Sequence, residues 1–194
     1  LIFPVGDGEI APLTVGLELV RRISAETKIP CHVLLLARNP QRQIEACAAA
    51  GAAALTFSLE ASTHAHRTLS SIRAAGMGAG IALNPATSLV AVDYLLEKAD
   101  RVCLFDVDAD DNQKEPVGSP LVERVRMLNE NIRYRELRTS IMIAGGISLS
   151  LAARTLEAGA SVLGIDPGML TQTGEASMPA AIEKYAALLQ KERE

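Results

Sequence analysis

Three times along this chain a helical pattern stops at a glycine and an apolar run begins at once: Ala50-Gly51-Ala52, Ala75-Gly76-Met77 and Ala158-Gly159-Ala160. Glycine takes the left-handed conformation just past a helix end without steric cost, so each triplet reads as a helix stop feeding a strand. The fullest version of the unit is Ser140–Leu170, SIMIAGGISLSLAARTLEAGASVLGIDPGML. Its apolar run Ser140–Ile143 meets Gly145-Gly146, a serine-started helical pattern spans Ser148–Glu157, and a second apolar run follows at Ser161–Ile165. Strand, tight turn, helix and strand make one βαβ unit, and strands alternating with helices of about 10–15 residues imply a parallel sheet. Gly145-Gly146 lets a ligand approach the backbone, and the next helix points its N-terminal amides at the same place, which suits an anion such as phosphate. The pair also serves as a plain tight turn, and two glycines alone do not separate the readings.

The alternation runs the length of the chain. Apolar runs at Leu1–Val5, Cys31–Leu36, Ala53–Phe57, Ala79–Leu83, Val102–Phe105, Ile141–Ile143 and Val162–Ile165 predict seven parallel strands. Helices are predicted around Leu17, Val20 and Ile23, from Asn39-Pro40 to Gly51 with Asn39 as the cap, and over Thr63–Ala75. Further helices are predicted from Asn84-Pro85 to about Lys98, from Ser119-Pro120 to about Leu137, and over Ser177–Lys191. Repeated βα units of this size fit a (β/α)8 TIM barrel or an open doubly wound sheet, in one domain over residues 1–194. Seven strands are one short of a closed barrel, so a first βα unit is expected to be missing before Leu1.

Composition narrows the function classes. With 48% hydrophobic residues in 194, a sizeable core is available. A net charge of -4 without a basic stripe, and 3% aromatics, exclude a nucleic-acid surface. No apolar run reaches membrane-spanning length, so no membrane partner is expected. Cys31, Cys47 and Cys103 lack metal-ligand spacing and read as buried thiols in a reducing, cytoplasmic compartment.

One block is specific. Glu60-Ala61-Ser62, His64, Arg67-Thr68-Leu69 and Ile72, then Gly80 and Asn84-Pro85-Ala86-Thr87, closely resemble the ribulose-phosphate 3-epimerase family. Pro30, Val33, Leu35 and Asn39-Pro40 look like its third strand and loop, and Asp7-Gly8, Pro12, Thr14 and Gly16 like the loop after its second strand. Gly145-Gly146-Ile147 and Ala158-Gly159-Ala160 resemble its phosphate half, so the resemblance covers nearly the whole chain. It implies a (β/α)8 barrel and descent from enzymes that invert a ketopentose phosphate at C3 with a divalent metal.

The departures fall where that chemistry lies. The resemblance places the family's metal-binding and acid–base residues at Ile2, Pro4, Leu34 and Ala144, whose side chains offer no ligand atom and no proton-abstracting group. No catalytic residue, metal or other cofactor is therefore expected. Of the phosphate-contacting set only Gly145 and Gly146 remain, while Asp108-Ala109-Asp110-Asp111-Asn112 and Asp166-Pro167 put acids where a phosphate dianion would be repelled.

Function in such a barrel sits at the C-terminal strand ends. The residues read as a ligand face are Asp7, His32, Asp106, Asp108 and Asp166. Asp106-x-Asp108-x-Asp110 resembles a calcium loop only superficially, since the glycine and distal glutamate are absent. His32 lies two residues before Leu34 on the same strand face, one layer deeper, and is either a catalytic group or a hydrogen-bonded interior histidine. Glu60 and His64 read as surface or structural residues. Three functions stay open: an epimerase-like protein inactive on ribulose 5-phosphate, an enzyme of altered chemistry on a carbohydrate-like ligand, and a non-catalytic binding or assembly protein on a barrel scaffold. The expected partner is a carbohydrate or sugar phosphate, and a homo-oligomer is expected.

Overall fold

The computed structural model describes residues 1–6, 16–106, 119–171, 173–175 and 177–191. The chain divides into two compact units, Leu1–Leu83 with Val90–Cys103, and Asn84–Leu89 with Leu104–Glu194. The first unit holds β1 (Ile2–Gly6), α1 (Leu17–Glu26), β2 (His32–Leu36), α2 (Ile44–Ala49), β3 (Ala54–Ser58), α3 (Ala65–Ala74), β4 (Gly78–Leu83) and the start of β5 (Arg101–Phe105). The second holds the end of β5, α4 (Ser119–Tyr134), β6 (Ser140–Gly145), α5 (Leu149–Glu157), β7 (Val162–Ile165), α6 (Pro167–Thr171) and α7 (Met178–Lys191). The seven strands follow one another in the sheet in chain order.

In the first unit β1, β2, β3 and β4 pair in parallel. The register puts Ile2, His32, Ala54 and Gly78 in one row, and Pro4, Leu34, Thr56 and Gly80 in the row two residues on. Side chains alternate along a strand, so both rows share one face of the sheet. Every residue of β2 is buried, as the unbroken apolar run of a strand covered on both sides requires. In the second unit β6 and β7 pair in parallel with Ala144 beside Gly164 and Gly145 beside Ile165.

The glycine punctuation acts as the sequence suggests. Gly51, Gly76 and Gly159 have φ of 82°, 81° and 116°. The amides of Ala52, Met77 and Ala160 reach back to the carbonyls of Cys47, Ile72 and Thr155, closing each helix with a Schellman-type bond.

Two local expectations are corrected. Asn39 is left-handed at φ 52° and makes no side-chain cap; its carbonyl accepts the Arg42 amide instead, so the turn closes through backbone and runs as a 3-10 segment, Pro40–Gln43, into α2. The helix expected from Asn84-Pro85 to Lys98 is two 3-10 turns, Leu89–Val92 and Leu96–Lys98, closed by bonds from Asp93 to Val90 and from Lys98 to Leu95. Val90, Val92 and Tyr94 stiffen χ1 there and lower helix propensity. Asp166-Pro167 opens α6, with proline in the first helical position where its missing amide costs nothing.

Candidate functional site

The C-terminal edge of β5, β6 and β7 in the second unit carries the residues read as a ligand face that the structure describes there. Gly145 has φ 119°, a conformation that L side chains rarely adopt, and its carbonyl accepts the Ile147 amide at 2.9 Å, turning the chain sharply after β6. Among the described residues, a Cβ at Gly146 would meet nothing within 4 Å. Ser148 then caps α5, its Oγ accepting the Leu151 amide at 3.2 Å. From α7 the Tyr185 hydroxyl donates to the Ile147 carbonyl at 2.8 Å, pinning the turn from behind. Burial pushes the Tyr185 pKa up, which keeps that hydroxyl a donor.

Two acids flank the turn. Asp106 follows β5, is fully buried, and donates its amide to the Ala144 carbonyl at 3.0 Å. Asp166 follows β7 and bends its Oδ1 onto the Gly168 amide at 2.7 Å, so its carboxylate is committed to its own turn. The structure thus brings Asp106, Gly145, Gly146 and Asp166 to one strand edge. Arg124 on α4 donates to the carbonyls of Asn84 and Pro85, fixing the start of the loop that follows β4. Asp7, Asp108 and their neighbours Glu9, Asp110 and Asp111 lie outside the described residues.

His32 belongs elsewhere. It is the first residue of β2, and so lies at the N-terminal end of its strand rather than at the C-terminal end where a ligand face forms. Its ring is buried between two partners: Thr56 Oγ1 is 2.7 Å from Nε2, and Arg101 Nη1 is 2.8 Å from Nδ1. A guanidinium only donates, so Nδ1 accepts and Nε2 carries the proton that it gives to Thr56. Burial, and then the Arg101 charge, lower the His32 pKa from 6.5 to about 4, which keeps the ring neutral. Burial also lowers the Arg101 pKa. Sequence reasoning missed Arg101 and Thr56. Arg101 opens an apolar strand and Thr56 interrupts one, but nothing local marks either as a partner of His32.

The residues that the family resemblance places at metal positions have side chains that do not fit a metal. In the first unit Pro4 and Leu34 stand side by side in register, Ile2 precedes them, and Leu34 is buried; in the second, Ala144 is buried. Proline, leucine, isoleucine and alanine side chains have no donor atom. Glu60 Oε2 accepts the Ser58 hydroxyl at 2.6 Å, and the His64 backbone carbonyl accepts the Thr68 amide as α3 begins.

Among the described residues, seven parallel strands interleaved with helices define an α/β protein of the (β/α)8 barrel class. A solved 3-hexulose-6-phosphate synthase from Salmonella typhimurium shares this fold at TM-score 0.67 and 20% identity, covering 98% of this chain and 87% of that one. A mutant tryptophan synthase alpha-subunit from Pyrococcus furiosus does so at TM-score 0.62 and 14% identity, covering 90% and 72%. The profile of the Ribulose-phosphate 3 epimerase family matches residues 3–169. A ribulose-phosphate 3-epimerase from Aquifex aeolicus is 31% identical over 190 residues, 97% of this chain and 84% of the relative. One from Rhodobacter capsulatus is 34% identical over 186 residues, 95% and 79% respectively. The chain belongs to the ribulose-phosphate 3-epimerase family.

Proposed function

We propose that this family member binds a carbohydrate or sugar phosphate at the Gly145-Gly146 edge and does not epimerise ribulose 5-phosphate. The observation that carries the reading is the pairing of Pro4 with Leu34, with Ala144 on β6, at positions where the family resemblance calls for donor groups. Inversion at a carbon next to a carbonyl needs a base on one face, an acid on the other, and stabilisation of the enediolate. Aliphatic side chains supply none of these. His32 does not replace them, since both ring nitrogens are engaged and a base of pKa about 4 holds a proton poorly at neutral pH. Among the described residues the space that a Cβ at Gly146 would take is open, which supports a ligand at this edge. Three buried free cysteines suit a reducing, cytoplasmic setting.

The test is solvent deuterium exchange at C3 of ribulose 5-phosphate, followed by NMR with and without added divalent metal. No exchange above background is expected. Exchange abolished by His32→Ala would make His32 a base and overturn the reading; exchange that survives the substitution would overturn it through another group.

A further inference from the structure

The solvent side of α4, in the second unit, carries a charge pattern that is complementary to its own reverse. Glu123, Arg126, Met127, Glu130, Arg133 and Tyr134 are all exposed. At about 100° per residue these six fall within roughly 120° of one another, on one face of the helix. The face is a short repeat: a glutamate, an arginine and a large apolar side chain at Glu123, Arg126 and Met127, then again at Glu130, Arg133 and Tyr134. Met127 is 54% exposed and Tyr134 89%, so two apolar side chains stand in water along the same stripe. The first Glu–Arg pair closes on itself, with Arg126 Nη1 donating to Glu123 Oε2. The second pair does not. Among the described residues the Glu130 and Arg133 side chains make no hydrogen bond or ion pair.

A second copy supplies what this face lacks. Turned end for end about the level of Leu128, a second α4 brings the partner's Arg133 level with Glu123 and the partner's Glu130 level with Arg126. Every charge of the face then meets its opposite, and two-fold symmetry makes each pairing twice. The closed Glu123–Arg126 pair becomes the middle of a row of four alternating charges. The two Met127 side chains come together beside the two-fold axis, and each Tyr134 comes level with the first turn of the opposite helix. The parallel, in-register arrangement sets glutamate against glutamate and arginine against arginine, so the charges select the antiparallel one.

We propose that this face of α4 is an antiparallel, two-fold contact between two copies of the chain. The strip from Glu123 to Tyr134 is about 17 Å long, the face of one short helix. That is small beside a standard interface, so the association is weak and set by protein concentration. Its charge rows are exposed, so salt weakens it further.

The test is sedimentation velocity on the whole chain from about 10 μM to about 1 mM, at low and at high sodium chloride. A monomer–dimer equilibrium is expected, shifted toward monomer by salt. Glu123→Arg with Glu130→Arg makes the face wholly positive, and Arg126→Glu with Arg133→Glu makes it wholly negative. Each double variant alone is expected to raise the dimer midpoint at least about tenfold, because like charges replace opposite ones. Mixed in equal amounts, the two should form a heterodimer that neither forms alone. Met127→Ser with Tyr134→Ser removes the apolar stripe without touching a charge, and it too should weaken the dimer. All six positions are exposed, and circular dichroism checks that each variant keeps its fold. A wild type that stays monomeric throughout, a dimer whose midpoint neither charge variant moves, or a mixture that remains monomeric overturns the proposal.

Discussion

Arg101 Nη1 donates to His32 Nδ1 across 2.8 Å, joining the first residue of β5 to the first residue of β2. The bond fixes the tautomer of a buried histidine and sets how the first unit responds to acid. The folded pKa of His32 is lowered to about 4 from 6.5, so the unfolded chain binds more protons than the folded one between those values. The neutral ring therefore contributes its full stability above pH 6.5, and that contribution is lost as pH falls through about 4. The loss approaches about 3 kcal/mol at the acid limit. Urea unfolding at pH 7 and pH 4.5 should show a larger acid destabilisation for wild type than for His32→Gln, which keeps a hydrogen-bonding group and cannot titrate. Equal pH profiles in the two proteins would mean that His32 does not carry the effect.

Gly80 and Thr56 form the next relationship. A Cβ at Gly80 would meet Thr56 Oγ1 at 2.1 Å and Cβ at 3.0 Å, so one of the two strands must give or Thr56 must rotate away from His32. Gly80→Ala is expected to cost about 1–3 kcal/mol, the range for overpacking a closed core. Thr56→Ala clears the same space. In the double variant the Gly80→Ala penalty should shrink, and the thermodynamic cycle measures that coupling. Additive costs would show that the contact is relieved elsewhere.

Much of this architecture could be read before the fold was known, because its signals are local. A glycine after a helical pattern, followed by a run such as Val102–Phe105, needs no distant partner to be recognised. What escaped recognition depends on pairs far apart in sequence. His32 was visible as a polar residue in an apolar strand, yet its tautomer and burial depend on Arg101, 69 positions away. Position along the strand was the other failure. The register puts His32 on the face shared with Leu34, as alternation requires, but at the opposite end of the strand from a ligand face. The turns after β4 failed for another reason: the helical spacing of apolar residues in that segment was real, and its β-branched residues favoured tighter turns.

The two glycines after β6 should separate under substitution. Gly145 holds φ 119°, where an L side chain is strained by about 1–3 kcal/mol, and Gly145→Ala should lower stability by that order. Gly146 lacks positive φ and, among the described residues, has nothing where a Cβ would go, so Gly146→Ala should stay within about 0.5 kcal/mol of wild type. Thermal unfolding of the two variants checks the contrast. If the Gly146-lined space holds a ligand, Gly146→Ala should weaken sugar-phosphate binding while leaving the melting temperature near wild type.

Tyr185 tests the support behind that turn. Its hydroxyl is the buried donor to the Ile147 carbonyl, so Tyr185→Phe keeps the ring packing and removes one hydrogen bond. The expected cost is about 1–2 kcal/mol, since the carbonyl loses this donor in a buried place. Hydrogen exchange should rise at the Leu151 amide, bonded to Ser148 just beyond the turn, if the cap and turn loosen together. Unchanged exchange there, with the same loss of stability, would confine the role of Tyr185 to packing α7.

Glu136 is the exception to the chain's own punctuation. It has φ 53° just past α4, and the next residue, Leu137, sends its amide back to the Ile132 carbonyl at 3.0 Å. That is the bond made after Gly51, Gly76 and Gly159, but here an L side chain occupies the left-handed position. For a non-glycine residue that conformation costs about 1–2 kcal/mol. Replacing it by glycine removes the strain, while the freer unfolded chain takes back about 0.4–1 kcal/mol. Glu136 is exposed, so little packing is lost with its side chain. Glu136→Gly is therefore expected to stabilise the protein by about 0.5–1 kcal/mol, read as a higher urea midpoint with an unchanged slope. Glu136→Ala keeps the strain and should give no such gain. A lower midpoint for the glycine variant would show that the glutamate side chain stabilises this helix end by more than its backbone strain costs.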